Sequence, residues 1–179
     1  ADTARALNDV VLAALGFEAD RAELELAKAG DTLSFTAAHL AETSTGPLLV
    51  ALDAHFATDV DELFGATGDD DAVELVDSIE RSADNKRVRI PADAVGEIFG
   101  CDDPPRYVLV VAGTVAMLAE RARWAEGRFL AVDFDGALER NDTKAKGELE
   151  TIAALFSALL TVRLRSAAAA CSFCPSVPL

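Results

Sequence analysis

Residues able to do chemistry fall into three groups in this chain. Asp53 closes the apolar run Leu48–Leu52, and Asp133 and Asp135 follow another, Phe129–Val132. Carboxylates at strand ends suit Mg²⁺-dependent phosphodiester cleavage, because clustered oxygens hold the metal and a Lys usually polarises the attacking water. Asp53 and Asp133 are therefore the candidate catalytic pair of a nuclease, with Mg²⁺ as its cofactor. An Asp/Glu-x-Lys on the neighbouring strand is missing. The nearest equivalent, Glu120-Arg121-Ala122-Arg123, offers only an Arg that stays protonated. The second group is basic and aromatic. Lys86, Arg87 and Arg89 follow Arg81, while Arg121, Arg123 and Arg128 lie near Arg106, Tyr107 and Trp124. Cations beside aromatics can track a phosphate backbone and stack on bases. Lys86, Arg87, Arg89, Arg121, Arg123, Trp124 and Arg128 are thus the candidate nucleic-acid-binding residues. The third group carries less. Cys171-x-x-Cys174 has metal-ligand spacing without a second pair, and His39 and His55 lack a Ser or Cys partner on a recognisable elbow. No metal site is expected from them.

Residues 3–15 place Leu7, Val10, Val11, Ala14 and Leu15 on one helical stripe. Asp2 or Thr3 is expected to cap this helix and Gly16 to end it. Leu24 and Leu26, then Leu33 and Phe35, alternate with polar residues around Ala29-Gly30-Asp31, which predicts a hairpin. Leu48–Leu52 reads as a buried strand flanked by His39 and His55. The acidic stretch Asp59–Glu80 predicts a short helix, a loop and a second helix near 71–81. Pro91–Phe99, with Pro at its start and Gly100 at its end, predicts another helix. Tyr107–Val111 and Val115–Ala119 around Ala112-Gly113-Thr114 predict a tight hairpin, and Phe129–Phe134 a third strand beside it. Leu138–Leu160 predicts a final helix. The fold class is α/β (α+β): a mixed sheet of five or six strands flanked by helices, in one domain over 1–160.

Composition narrows the partners. The net charge of −15 argues against generic attraction to nucleic acid, although a local basic strip can still bind. No run of 18 apolar residues supports a membrane span, no signal peptide is visible, and three cysteines make no disulfide framework. A cytoplasmic setting is expected, without a membrane partner. All acidic residues lie in 1–150, which carry −17, while 151–179 carry +2. The switch into Ala167–Ala170 and Cys171-Ser172-Phe173-Cys174 lacks periodic logic. An atypical tail over 161–179, frameshifted or disordered, is the expectation, as is a fragment or processed start at Ala1-Asp2-Thr3.

Asp103-Pro104-Pro105-Arg106-Tyr107 invites comparison with the Asp/Asn-Pro-Pro-aromatic loop of amino-methyltransferases, where the aromatic stacks on a flipped base. That chemistry needs the aromatic directly after the second Pro at a strand end; here Arg106 intervenes and a strand follows, so a rigid turn is expected. The wider run, Asp103–Gly113, then Leu118-Ala119-Glu120-Arg121-Ala122-Arg123-Trp124-Ala125-Glu126-Gly127-Arg128-Phe129-Leu130-Ala131-Val132-Asp133, resembles the N-terminal region of large type IIG restriction–modification DNA (adenine) methyltransferases of phage defence. Glu139-Arg140-Asn141-Asp142 and Gly147-Glu148-Leu149-Glu150 continue the likeness, which spans about 90–157. The resemblance implies a restriction-nuclease-like fold, degenerate in its catalytic residues, preceding methyltransferase and target-recognition domains. It implies DNA as a partner through those downstream domains and S-adenosylmethionine as the full-length family's cofactor, with no cofactor bound by this chain. A truncated, non-methylating N-terminal module is the leading expectation. A Mg²⁺-dependent nuclease and a non-enzymatic acidic interaction module are the alternatives.

Overall fold

A computed structural model describes residues 1–44, 46–65 and 72–155 of the 179-residue chain. The chain is mixed α/β, with two sheets flanked by helices. It opens with helix α1 (Asp2–Ala14), then β1 (Ala22–Lys28), β2 (Asp31–Ala37), β3 (His39–Thr43) and β4 (Gly46–Ala57). A 3-10 turn (Val60–Phe64), β5 (Ile79–Arg81), β6 (Lys86–Val88) and α2 (Pro91–Phe99) follow. Strands β7 (Tyr107–Gly113) and β8 (Val115–Glu120), the short α3 (Arg121–Trp124), β9 (Phe129–Asp133), α4 (Phe134–Arg140) and a helix α5 over 148–155 complete it.

The large sheet has the order β3-β4-β7-β8-β9, in which only β4 and β7 run parallel. Its two faces are set by the period-2 alternation of strand side chains. Leu49, Ala51, Leu109, Val111, Ala116 and Leu118 face one way and pack against Leu12 of α1 and Phe17. Val50, Leu52, Val108, Val110, Val115 and Met117 face the other way, onto Ala94, Val95 and Ile98 of α2. The same second core takes Leu26, Leu33, Phe35, Ile79 and Val88 from an antiparallel four-stranded sheet, β1-β2-β5-β6. Burial on both faces explains why β4 and β7 are almost continuously apolar.

Turn chemistry decides the hairpins. Lys28 pairs with Asp31, leaving Ala29 and Gly30 at φ 49° and 87°, the two positive values a type I′ turn requires. Gly113 opens the β7–β8 turn at φ 69°.

Several expectations need correction. There is no helix over the described part of 71–81. Val73 and Leu75 are buried while Glu74 is exposed, and Leu75 N–H donates to the Arg89 carbonyl, so the segment lies extended in the core. The final helix is split, because Asn141 at φ 44° ends α4 and Lys146 at φ 64° precedes α5. β3 was not foreseen, and the strands form two sheets rather than one. Helix α1 buries Asn8 and Leu12, while Leu7 and Val10 of the expected core stripe stay exposed. Its N-cap is Ala1, without a side-chain cap. No described helix is long and apolar enough to cross a membrane. The expected tail, 161–179, lies outside the described residues.

Candidate nucleic-acid interface

Asp53 stands near the C-terminal end of β4 on the face that α1 covers, and it is buried. Asn8, fully buried on the inward side of α1, donates from Nδ2 to Asp53 Oδ1 at 3.1 Å and to the Ala54 carbonyl at 3.0 Å. Its Oδ1 accepts from Gly113 N–H at 2.8 Å. One amide thus ties the helix to both parallel strands. Arg21, entering β1, donates to Asp53 Oδ2 at 2.8 Å and to Asp9 at 2.8 Å. The hydrogen bond to Asp9 is the largest influence raising the Arg21 pKa, with that to Asp53 adding to it against desolvation. Both Asp53 oxygens are therefore held by internal donors.

Asp133 lies elsewhere. Asp53 is opposite Val111, Val111 opposite Ala116, and Asp133 opposite Val115, so three interstrand steps of roughly 4.8 Å separate the two backbones. Asp133 shares the face of Val115, the opposite side of the sheet from Asp53, and its side chain caps α4 through Gly136 N–H at 3.2 Å. The structure does not bring the candidate catalytic pair together. No group of three His, Cys, Asp or Glu able to hold a metal occurs among the described residues. The histidines also diverge: His39 is buried beside Phe17 and hydrogen-bonds the Glu18 carbonyl at 2.6 Å, whereas His55 is exposed.

The basic candidates fare differently. Lys86, Arg87 and Arg89, from β6 and its exit, line one groove with the sequence-distant Trp124, together with Phe64, Gly96, Glu74, Asp93 and Glu97. The groove measures about 790 Å³. Its charges are mixed. Arg87 pairs with Glu80 at 3.1 Å and Arg89 with Glu74 at 3.5 Å, all four side chains about half exposed. Glu97 is already held by Lys28. Trp124 packs on the core, near-parallel to Phe64 with ring centroids 6.3 Å apart and edge-on to Phe99. Gly96 leaves the space beside the indole open, since a Cβ there would stand 3.7 Å from Trp124 Nε1.

Arg121, Arg123 and Arg128 remain on the exposed surface around α3, with Arg123 and Arg128 sharing Glu126 at 3.6 and 3.4 Å. Arg106 pairs with Glu120 at 3.0 Å and lies over the Tyr107 ring. The Asp103-Pro104-Pro105 stretch forms the loop leading into β7.

Sequence reasoning missed Asn8, Arg21 and Gly96. The one available signal was Asn8, a helix-disfavouring amide one turn before Leu12 in α1. No protein family, curated protein or solved structure matches the chain.

Proposed function

We propose that this chain is an N-terminal module of a DNA-modifying methyltransferase of the restriction–modification kind, one that performs no catalysis itself. The family likeness over about 90–157 takes in α2, α3, α4, α5 and the three neighbouring strands β7, β8 and β9 of the large sheet. In this reading the mixed sheet is a restriction-nuclease-like core whose carboxylates serve the fold. The observation that carries the non-catalytic part is the engagement of both Asp53 oxygens by Asn8 and Arg21. Asp53 is also buried, and no second metal-ligating group joins it in a set of three among the described residues, whereas a Mg²⁺ site needs several clustered oxygens. DNA is the partner, and S-adenosylmethionine the cofactor, of the domains that follow in such proteins.

Two experiments test this. Supercoiled plasmid incubated with the chain and Mg²⁺ or Mn²⁺ should remain supercoiled. Nicking that Asp53→Asn abolishes would replace the reading with a nuclease. Sequencing the gene beyond this segment should reveal a Gly-rich cofactor loop and an Asn-Pro-Pro-aromatic motif in frame. An open frame without them would remove the methyltransferase assignment.

A further inference from the structure

We infer that β9 is a self-pairing edge: two copies of this chain join through antiparallel β9–β9 hydrogen bonds, fusing their five-stranded sheets. The inference does not depend on the DNA-module reading. The two sheets have four outer strands, and three of them carry features that keep further strands from adding. β1 carries Glu23, Glu25 and Lys28, β6 begins with Lys86 and Arg87, and β3 is bulged between Ala41 and Glu42. β9 carries none of these between Phe129 and Val132, and Phe129, Leu130 and Ala131 are exposed although apolar. Its outer side meets no strand among the described residues.

Backbone direction fixes the register. Phe134 N–H donates to the Thr114 carbonyl, so the two-residue period of the ladder turns the backbone groups of Val132 and Leu130 toward β8. Those of Phe129, Ala131 and Asp133 therefore point to the open edge. A two-fold axis through Ala131 sets Ala131 opposite itself and Phe129 opposite Asp133 of the second copy, which engages all three residues. In that register Leu130 lies across from Val132 of the second copy, in the closer kind of pair that brings side chains together. Val132 and Ile152 pack on one face of the large sheet and, with Ala131 and Leu155, line a cleft of about 560 Å³ beside β9. Leu130 is 47 % exposed and pairs with Leu118 of that same face, so it is the side chain that the cleft of the second copy receives. The Arg140–Glu148 pair in the cleft is closed internally. Charge agrees. Arg128 precedes β9 and Asp133 closes it, so antiparallel pairing sets each basic end beside an acidic one, whereas parallel pairing would align like charges.

A five-residue strand gives a small interface, so the association is weak and reversible. Each copy carries −15, and the general repulsion between copies makes added salt strengthen the pairing. Sedimentation velocity between about 5 and 500 µM chain should show a monomer–dimer equilibrium, tighter at about 500 than at about 50 mM salt. Amide hydrogen exchange should slow at Ala131 as the dimer forms, while the Leu130 and Val132 amides, already turned to β8, change little. Ala131→Pro removes an N–H that faces the open edge and should weaken dimerisation at least ten-fold. Leu130→Lys, at an exposed side chain, should do the same, with thermal unfolding confirming that both variants fold. A monomer at every concentration in high salt would overturn the inference, as would a dimer that folded Ala131→Pro and Leu130→Lys leave intact. Ala131 protection that does not vary with concentration would show the edge covered by a segment of the same chain, and would overturn it too. None of these outcomes bears on the downstream reading frame, which decides the DNA-module reading.

Discussion

The Asp53 anchor and the Lys86–Trp124 groove contain the same kinds of residue in opposite circumstances. At the anchor, Asn8 and Asp53 are buried, Arg21 is mostly covered, and every contact is internal. In the groove, Arg87 and Arg89 are more than half exposed, paired with Glu80 and Glu74 that are themselves about half exposed. A buried polar group costs free energy unless it is paired, so burial at the anchor commits Asn8 and both Asp53 oxygens to partners within the fold. Exposure in the groove leaves cations whose pairing is interchangeable. Burial of an acidic residue on a strand is thus a poor guide to catalysis, because the same position can be occupied by a carboxylate that fastens a helix.

Substitutions at the two places should separate fixed from exchangeable charge. The largest effect is expected for Asn8→Leu, which strands the Gly113 N–H and removes one donor from Asp53; a loss of about 3 kcal/mol is expected in urea unfolding. An unchanged midpoint would show that the amide contacts are incidental. Arg89→Ala should cost at most about 0.5 kcal/mol in the same assay, since it breaks only an exposed pair. If the two variants were equally destabilised, the distinction between fixed and exchangeable charge would collapse. Smaller still is a pH effect in the β5–β6 turn. The hydrogen bond from Arg81 lowers the Asp84 pKa to about 2, so any stability this carboxylate contributes is present above its ordinary value of 3.8 and is lost as pH falls toward 2. In Arg81→Ala, carboxyl NMR titration should move Asp84 back toward 3.8.

Much of this fold is legible from local chemistry. Gly30 and Gly113 mark their hairpins because both turns need positive φ, and Pro91 with Gly100 brackets α2. What failed depended on tertiary context. Val73, Leu75, Val76 and Ile79 fit a helical stripe as well as an alternating one, and hydrogen bonds from His55 N–H to the Glu74 carbonyl and from Leu75 N–H to the Arg89 carbonyl decide for the extended form. β3 is five residues long, with a His and a Glu in it, too brief for a periodic signal. In α1 the apolar residues encircle the helix, so periodicity alone could not indicate that the face bearing Asn8 turns inward. The groove was legible only as its parts, since Lys86, Arg87, Arg89 and Trp124 could be picked by type while their convergence depends on the packing of β6, α2 and α3.

Thermal unfolding of Asp53→Ala against the unsubstituted chain decides whether Asp53 fastens α1 to the large sheet. An anchoring carboxylate leaves Arg21 and Asn8 without one of their acceptors, and the melting temperature should fall by roughly 5–10 °C, corresponding to about 2–3 kcal/mol. A melting temperature that stays level or rises, as removal of a strained catalytic carboxylate often produces, would contradict the account.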